Sequence, residues 1–64
     1  MVDLILKKAF EAGRNVQIIY MDQNRQITQR RIRIFKLDET KIEAYCYLRK
    51  APRWFDRSNI LAAG

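Results

Sequence analysis

A-Y-C-Y-L-R-K-A-P-R-W-F-D-R-S-N-I, running from Ala44 to Ile60, is the stretch whose reading decides the fold. Two residue sets alternate as it opens: Ile42, Ala44, Cys46 and Leu48 fall on one face, and Glu43, Tyr45, Tyr47 and Arg49 on the other. A period of two is that of a half-buried strand. Pro52 has no N–H to give to a ladder, so Arg49–Pro52 is expected to connect this strand to the next. Arg53-Trp54-Phe55 then reads as a short strand, with Phe55 inward and Trp54 outward by alternation. Asp56–Asn59 is a polar turn before a last short strand that opens with Ile60-Leu61.

Working outward, Leu37-Asp38-Glu39-Thr40 is the turn of a hairpin between Lys41–Leu48 and a long strand, Gln26–Lys36. The apolar phase of that long strand changes, since Ile27 is odd-numbered while Ile32 and Ile34 are even. A bulge or bend near Thr28–Arg31 would restore one inside face, and Arg31, Arg33 and Phe35 would then share the outside. Asp22-Gln23-Asn24-Arg25 makes a further hairpin with Asn15–Met21, where Val16, Ile18 and Tyr20 line up on one face. Ahead of these strands, Val2, Ile5, Leu6, Ala9 and Phe10 recur at helical steps, so Val2–Ala12 is expected to be an amphipathic helix. Asp3 favours its N-terminus and Gly13 stops it. A helix this short is not stable alone in water and must pack on the strands. One helix followed by five short strands with tight connections predicts a mainly β, small α+β fold, a strongly bent antiparallel barrel.

Sixty-four residues make a single domain spanning 1–64. A chain of this size buries only about 60% of the surface that it exposes when unfolded, and a homodimer would relieve its marginal core. The lone cysteine, Cys46, excludes an internal disulfide and fits a reducing compartment. No apolar run, Leu4-Ile5-Leu6 included, is long enough to span a membrane, and Met1–Phe10 has no signal-peptide pattern. A cytoplasmic protein without membrane contact is the expectation. The formal charge is +6, and it is unevenly spread. Arg25–Lys36 and Arg49–Arg57 hold nine basic residues against Asp56, a net +8 that leaves −2 for the remainder. Eight of the basic residues in the chain are arginines, the side chain suited to bidentate phosphate contact and to stacking. The excess favours an anionic partner over mere solubility.

Enzymatic chemistry has little to work with. There is no histidine, Cys46 lies on an apolar strand face, and Ser58 is the one serine, so zinc sites, Cys–His pairs and a serine triad are excluded. Gly13 and Gly64 are the only glycines, so no glycine-rich phosphate loop can form and no cofactor is implied. Binding chemistry is better provided for. Tyr45, Tyr47 and Arg49 stand two apart on one strand face, and Arg31 and Arg33 can lie beside them on the neighbouring strand. Rings on which bases stack, next to guanidinium groups that hold phosphates, are what single-stranded nucleic acid requires. The bland reading is an ordinary strand whose tyrosines are covered by the stem of Arg49. Trp54 either faces a ligand or covers the end of the barrel.

The run A-Y-C-Y-L-R-K-A-P-R-W-F followed by Ile60 resembles the C-terminal half of the WYL domain, A-Y-C-h-L-R-x-x-x-R-x-F and then an isoleucine. Upstream, Ala9, the alternation Val16-x-Ile18-x-Tyr20 and Thr28-x-Arg30-Arg31-Ile32 fall where that family has its first helix and first two strands. The resemblance implies a five-stranded Sm/SH3-like barrel. It also implies a ligand-sensing role in bacterial transcription regulators, with single-stranded nucleic acid or a nucleotide-like anion as ligand. Carried over by position, Tyr20, Arg31, Tyr47, Arg49 and Arg53 would face that ligand. With Arg33, Tyr45 and Trp54 from the reading above they form the expected site. The sequence also departs from the pattern. Thr40-Lys41-Ile42 replaces the naming triplet, Tyr47 a frequent histidine, Asn59 an arginine and Arg57 a leucine. Without a helix-turn-helix, the chain reads as a free-standing sensor or accessory module. The rival expectation is a protein-interaction module docking on an acidic partner protein.

Overall fold

In the computed structural model, which describes residues 2–64, the N-terminal segment folds as helix α1 (Val2–Ala12), with the bounds its periodicity predicts. Leu6 and Ala9 are buried, Val2 and Ile5 pack partly against the core, and Leu4 stays outside. The helix ends in a Schellman arrangement: Gly13 N donates to the Phe10 carbonyl and Arg14 N to that of Ala9. That cap needs a left-handed residue, which Gly13 supplies at φ 64°. Asp3, in the first turn, also reaches across to Arg57 at 2.8 Å.

Five strands follow: β1 (Val16–Met21), β2 (Ile27–Leu37), β3 (Lys41–Cys46), β4 (Ala51–Asp56) and β5 (Ile60–Ala63). A 3-10 turn at Arg57–Asn59 joins the last two. All pairings are antiparallel, in the order β4-β3-β2-β1-β5. The fold is therefore a small α+β one, but the expected bent, Sm/SH3-like barrel is not what the sheet forms. It is neither closed nor strongly curled: β4 pairs with β3 alone and β5 with β1 alone, and no ladder joins these two edges. The composition explains the openness. Tight closure of a small sheet relies on glycine kinks and repeated bulges at the corners, and no strand here contains a glycine.

Register corrects the reading at three more points. The pairing of β1 with β2 runs unbroken from Val16↔Ile32 to Met21↔Ile27, so there is no bulge near Thr28–Arg31. Ile27 simply lies outside, 62% exposed. The irregularities fall instead between Ile34 and Lys36 and between Ile19 and Tyr20. Strand β3 ends at Cys46 rather than Leu48, and Tyr47–Lys50 turns, with Lys50 at φ 55°. Leu48 is consequently exposed. Pro52, expected in a connection, sits inside β4 opposite Tyr45. Because β4 is an edge strand, its missing N–H costs the sheet no ladder bond.

The inner face of the sheet carries Val16, Ile18, Ile32, Ile34, Ile42, Ala44, Cys46, Phe55 and Ile60, which join Leu6 and Ala9 in one core. Phe55 is inward and Trp54 outward, as alternation predicts. Arg57, in place of an apolar residue, ties three segments together. Its guanidinium donates to the Asp38 carbonyl in the β2–β3 turn and to Asp3 of α1, while its N–H donates to the Thr40 carbonyl. No helix among the described residues is long and apolar enough to cross a membrane.

Candidate anion-binding cleft

The inner face changes character along β2. Ile34 and Ile32 belong to the core, but the next inward position is Arg30, only 6% exposed. Its Nε donates to Thr28 Oγ1 at 3.0 Å, its Nη1 lies 3.9 Å from Cys46 Sγ, and its Cζ stands 6.0 Å from the centre of the Tyr20 ring. No carboxylate pairs with it, since the one salt bridge among the described residues joins Arg57 to Asp3. A charge taken from water without a counter-charge costs free energy. A hydroxyl, a sulfur and an aromatic face compensate that cost only in part.

A cleft of about 290 Å³ opens beside Arg30, and Arg49 and Arg53 enter it as well. Two different local structures bring them there. Arg53 lies opposite Ala44 in the β3–β4 ladder, which places it on the inner side of the edge strand. Arg49 is carried in by the Tyr47–Lys50 turn, out of the alternation in which it was expected to continue. Tyr20 forms one wall, fixed edge-on to Phe55 at 5.0 Å and 86°, with its hydroxyl accepting from Asp56 N at 3.4 Å. Trp54 borders the cleft from β4. Its ring stands 5.0 Å from Lys41 Nζ and the residue is 54% exposed. The acid that lines the cleft is Asp22, and its carboxylate is engaged by its own turn: Oδ1 accepts from Asn24 N and Gln26 N, both at 2.9 Å. Three arginines thus line a concave site in which the one acidic residue has its carboxylate held by backbone donors. That arrangement can hold an anion and fix its orientation by bidentate contact. Among the described residues no group of three His, Cys, Asp or Glu could hold a metal ion.

Of the residues expected from sequence, Tyr20, Arg49, Arg53 and Trp54 line this cleft. Arg31, Arg33, Tyr45 and Tyr47 do not: they occupy the opposite face of the sheet, with Arg33 paired to Tyr45 and the Tyr47 N–H donating to the Arg31 carbonyl. The expected site is therefore divided between two faces. Arg30 was missed. The signal for it was its even number, in phase with Ile32 and Ile34 and out of phase with Arg31 and Arg33.

No protein-family model matches the sequence, and no curated protein does. Among solved structures, the chain is similar to proteasome accessory factor B/C (PafBC) of Arthrobacter aurescens, with a TM-score of 0.78 and 25% identity. The match covers 97% of this chain and spans only 10% of the length of that one. A likeness over nearly every residue, together with the A-Y-C-Y-L-R run and the strands that flank it, supports identification as a WYL-like domain.

Proposed function

We propose that this domain is a non-catalytic ligand-sensing module in transcription regulation. It binds single-stranded nucleic acid or a nucleotide-like anion, with the phosphate held by Arg30, Arg49 and Arg53. The observation that carries this reading is the buried, unpaired guanidinium of Arg30 beside a cleft that two further arginines enter. A phosphate placed there supplies the counter-charge that the fold does not provide, and desolvation by the surrounding walls strengthens the contact. The family resemblance supports the regulatory setting.

The test is a titration of labelled single-stranded DNA and RNA oligonucleotides, followed by fluorescence anisotropy at two salt concentrations. Saturable binding that weakens with salt is expected, because phosphate contacts release counterions. Removing one phosphate-contacting arginine should lower the salt slope by about one. The double variant Arg49→Glu/Arg53→Glu should lose the signal while keeping the circular dichroism spectrum of the folded domain. Binding that is absent at low salt, or unchanged in the double variant, removes the cleft from consideration.

A further inference from the structure

We infer that the outer face of β2 and β3 is a second docking surface, and that its partner is an extended acidic segment of another protein. This inference stands apart from the proposed function of the cleft, which lies on the other side of the sheet. Arg31 and Arg33 are both exposed on the outer face, two residues apart on β2. Each has a tyrosine across from it: Arg33 is paired with Tyr45 on β3, and Arg31 lies next to Tyr47, the first residue of the turn that follows. Neither arginine forms a salt bridge among the described residues. The acid on that face of β3, Glu43, stands opposite Lys36 further along the ladder and forms no salt bridge with either arginine.

The tyrosines decide between partners. Tyr45 and Tyr47 meet edge to face, with centroids 5.0 Å apart and planes at 73°. The Tyr47 hydroxyl donates to Asn15 Oδ1 at 3.0 Å, which locks the pair to the start of β1. Rings that cover one another in this way make a poor platform for bases, which need an open aromatic face. They do make a rigid, half-apolar bed against which a peptide can lie. The charges above that bed have the period of a strand. Same-face neighbours on a β-strand stand about 6.6–6.8 Å apart, and an extended peptide with acids at alternate positions presents carboxylates at that same interval. Two arginines in this register can each take one carboxylate in a bidentate pair. A partner of this kind also answers the positive charge of the face.

The experiment uses a fluorescein-labelled peptide with glutamates at alternate positions, a second peptide of the same composition with its glutamates contiguous, and a labelled oligothymidylate. Each is titrated into the wild type, Arg31→Glu/Arg33→Glu and Arg53→Glu. The alternating peptide should bind the wild type more tightly than the contiguous one. The outer-face variant should lose about tenfold or more of that affinity, whereas Arg53→Glu should retain it. Oligothymidylate should behave in the opposite way, keeping its affinity in the outer-face variant. If charge reversal prevents folding, Arg31→Gln/Arg33→Gln reads the same difference without added repulsion. The inference is overturned if neither peptide binds at low salt, if the two peptides bind alike, or if the outer-face variant loses oligothymidylate instead of peptide. The last result would assign the outer face to nucleic acid.

Discussion

Replacing Arg30 by methionine should separate binding from stability. The substitution removes a hydrogen bond to Thr28 Oγ1, the 3.9 Å contact with Cys46 Sγ and a contact with the Tyr20 ring at 6.0 Å. A hydrogen bond from a charged donor is worth about 1.5–3 kcal/mol, and a cation–π contact at this range about 0.5–1 kcal/mol. Against this stands the desolvation of a guanidinium that is 6% exposed and has no carboxylate partner, a cost of several kcal/mol. Methionine is unbranched and uncharged and follows irregular space, although it stops short of where the guanidinium nitrogens lie. The balance runs from neutral to a gain of about 1–2 kcal/mol. For a domain of this size each kcal/mol moves the melting midpoint by about 4–8 °C.

Urea denaturation and thermal melts, both followed by circular dichroism, give the stability of Arg30→Met. Anisotropy with a labelled oligonucleotide gives its binding. The expected pair of results is a midpoint no lower than that of the wild type and an affinity sharply reduced. Arg30→Lys should do something different. It keeps the charge but loses the planar fork, and an ammonium group is hydrated more strongly than a guanidinium, so both stability and binding should fall. A loss of more than about 2 kcal/mol in Arg30→Met would show that the arginine holds the fold together. Wild-type affinity in that variant would show that the buried charge is not there for a ligand. Either result refutes the reasoning.

Other substitutions test the frame around the cleft. Gly13→Ala should cost about 1–2 kcal/mol in urea denaturation, from the left-handed backbone alone, because the added methyl would meet only Arg33 Nη2 at an ordinary 3.8 Å. Phe55→Ala should cost about 3–5 kcal/mol, close to the whole stability of a small domain, and should leave a broad or absent melting transition. Asp3→Asn should change stability by less than about 1 kcal/mol, since its carboxylate is largely exposed. Arg57→Ala should cost more, about 1–2 kcal/mol in the same assay, because it also removes the donor to the Asp38 carbonyl.

What could be read from the sequence was whatever local chemistry decides. The Val2–Ala12 helix, its stop at Gly13, the inward Phe55 and the outward Trp54 all follow from spacing and from one residue's backbone preference. Openness of the sheet was harder to read, because pairing at the edges depends on how much curvature accumulates across five strands. Pro52 misled for a related reason: whether a strand tolerates proline depends on its being an edge, which is a property of the sheet. The same limit divided the candidate site. Alternation through Tyr45, Tyr47 and Arg49 assumes a strand that continues, but the chain turns after Cys46 and carries Arg49 to the cleft.

Arg30 shows why the central residue of the cleft escaped notice. An arginine in phase with core isoleucines breaks the hydrophobic pattern, and a bulge near Thr28–Arg31, expected in order to bring Ile27 into phase with Ile32 and Ile34, obscures that signal. The strand keeps its register instead and takes the charge in. A fold that accepts a buried guanidinium, and answers it with a threonine, a thiol and a tyrosine ring but no carboxylate, keeps an unmet demand for negative charge. Such local inconsistencies between sequence pattern and structure are where function is expected to reside. Here the inconsistency lies beside the cleft that Arg49 and Arg53 enter, so an anion bound there would complete an electrostatic balance that the chain alone leaves open.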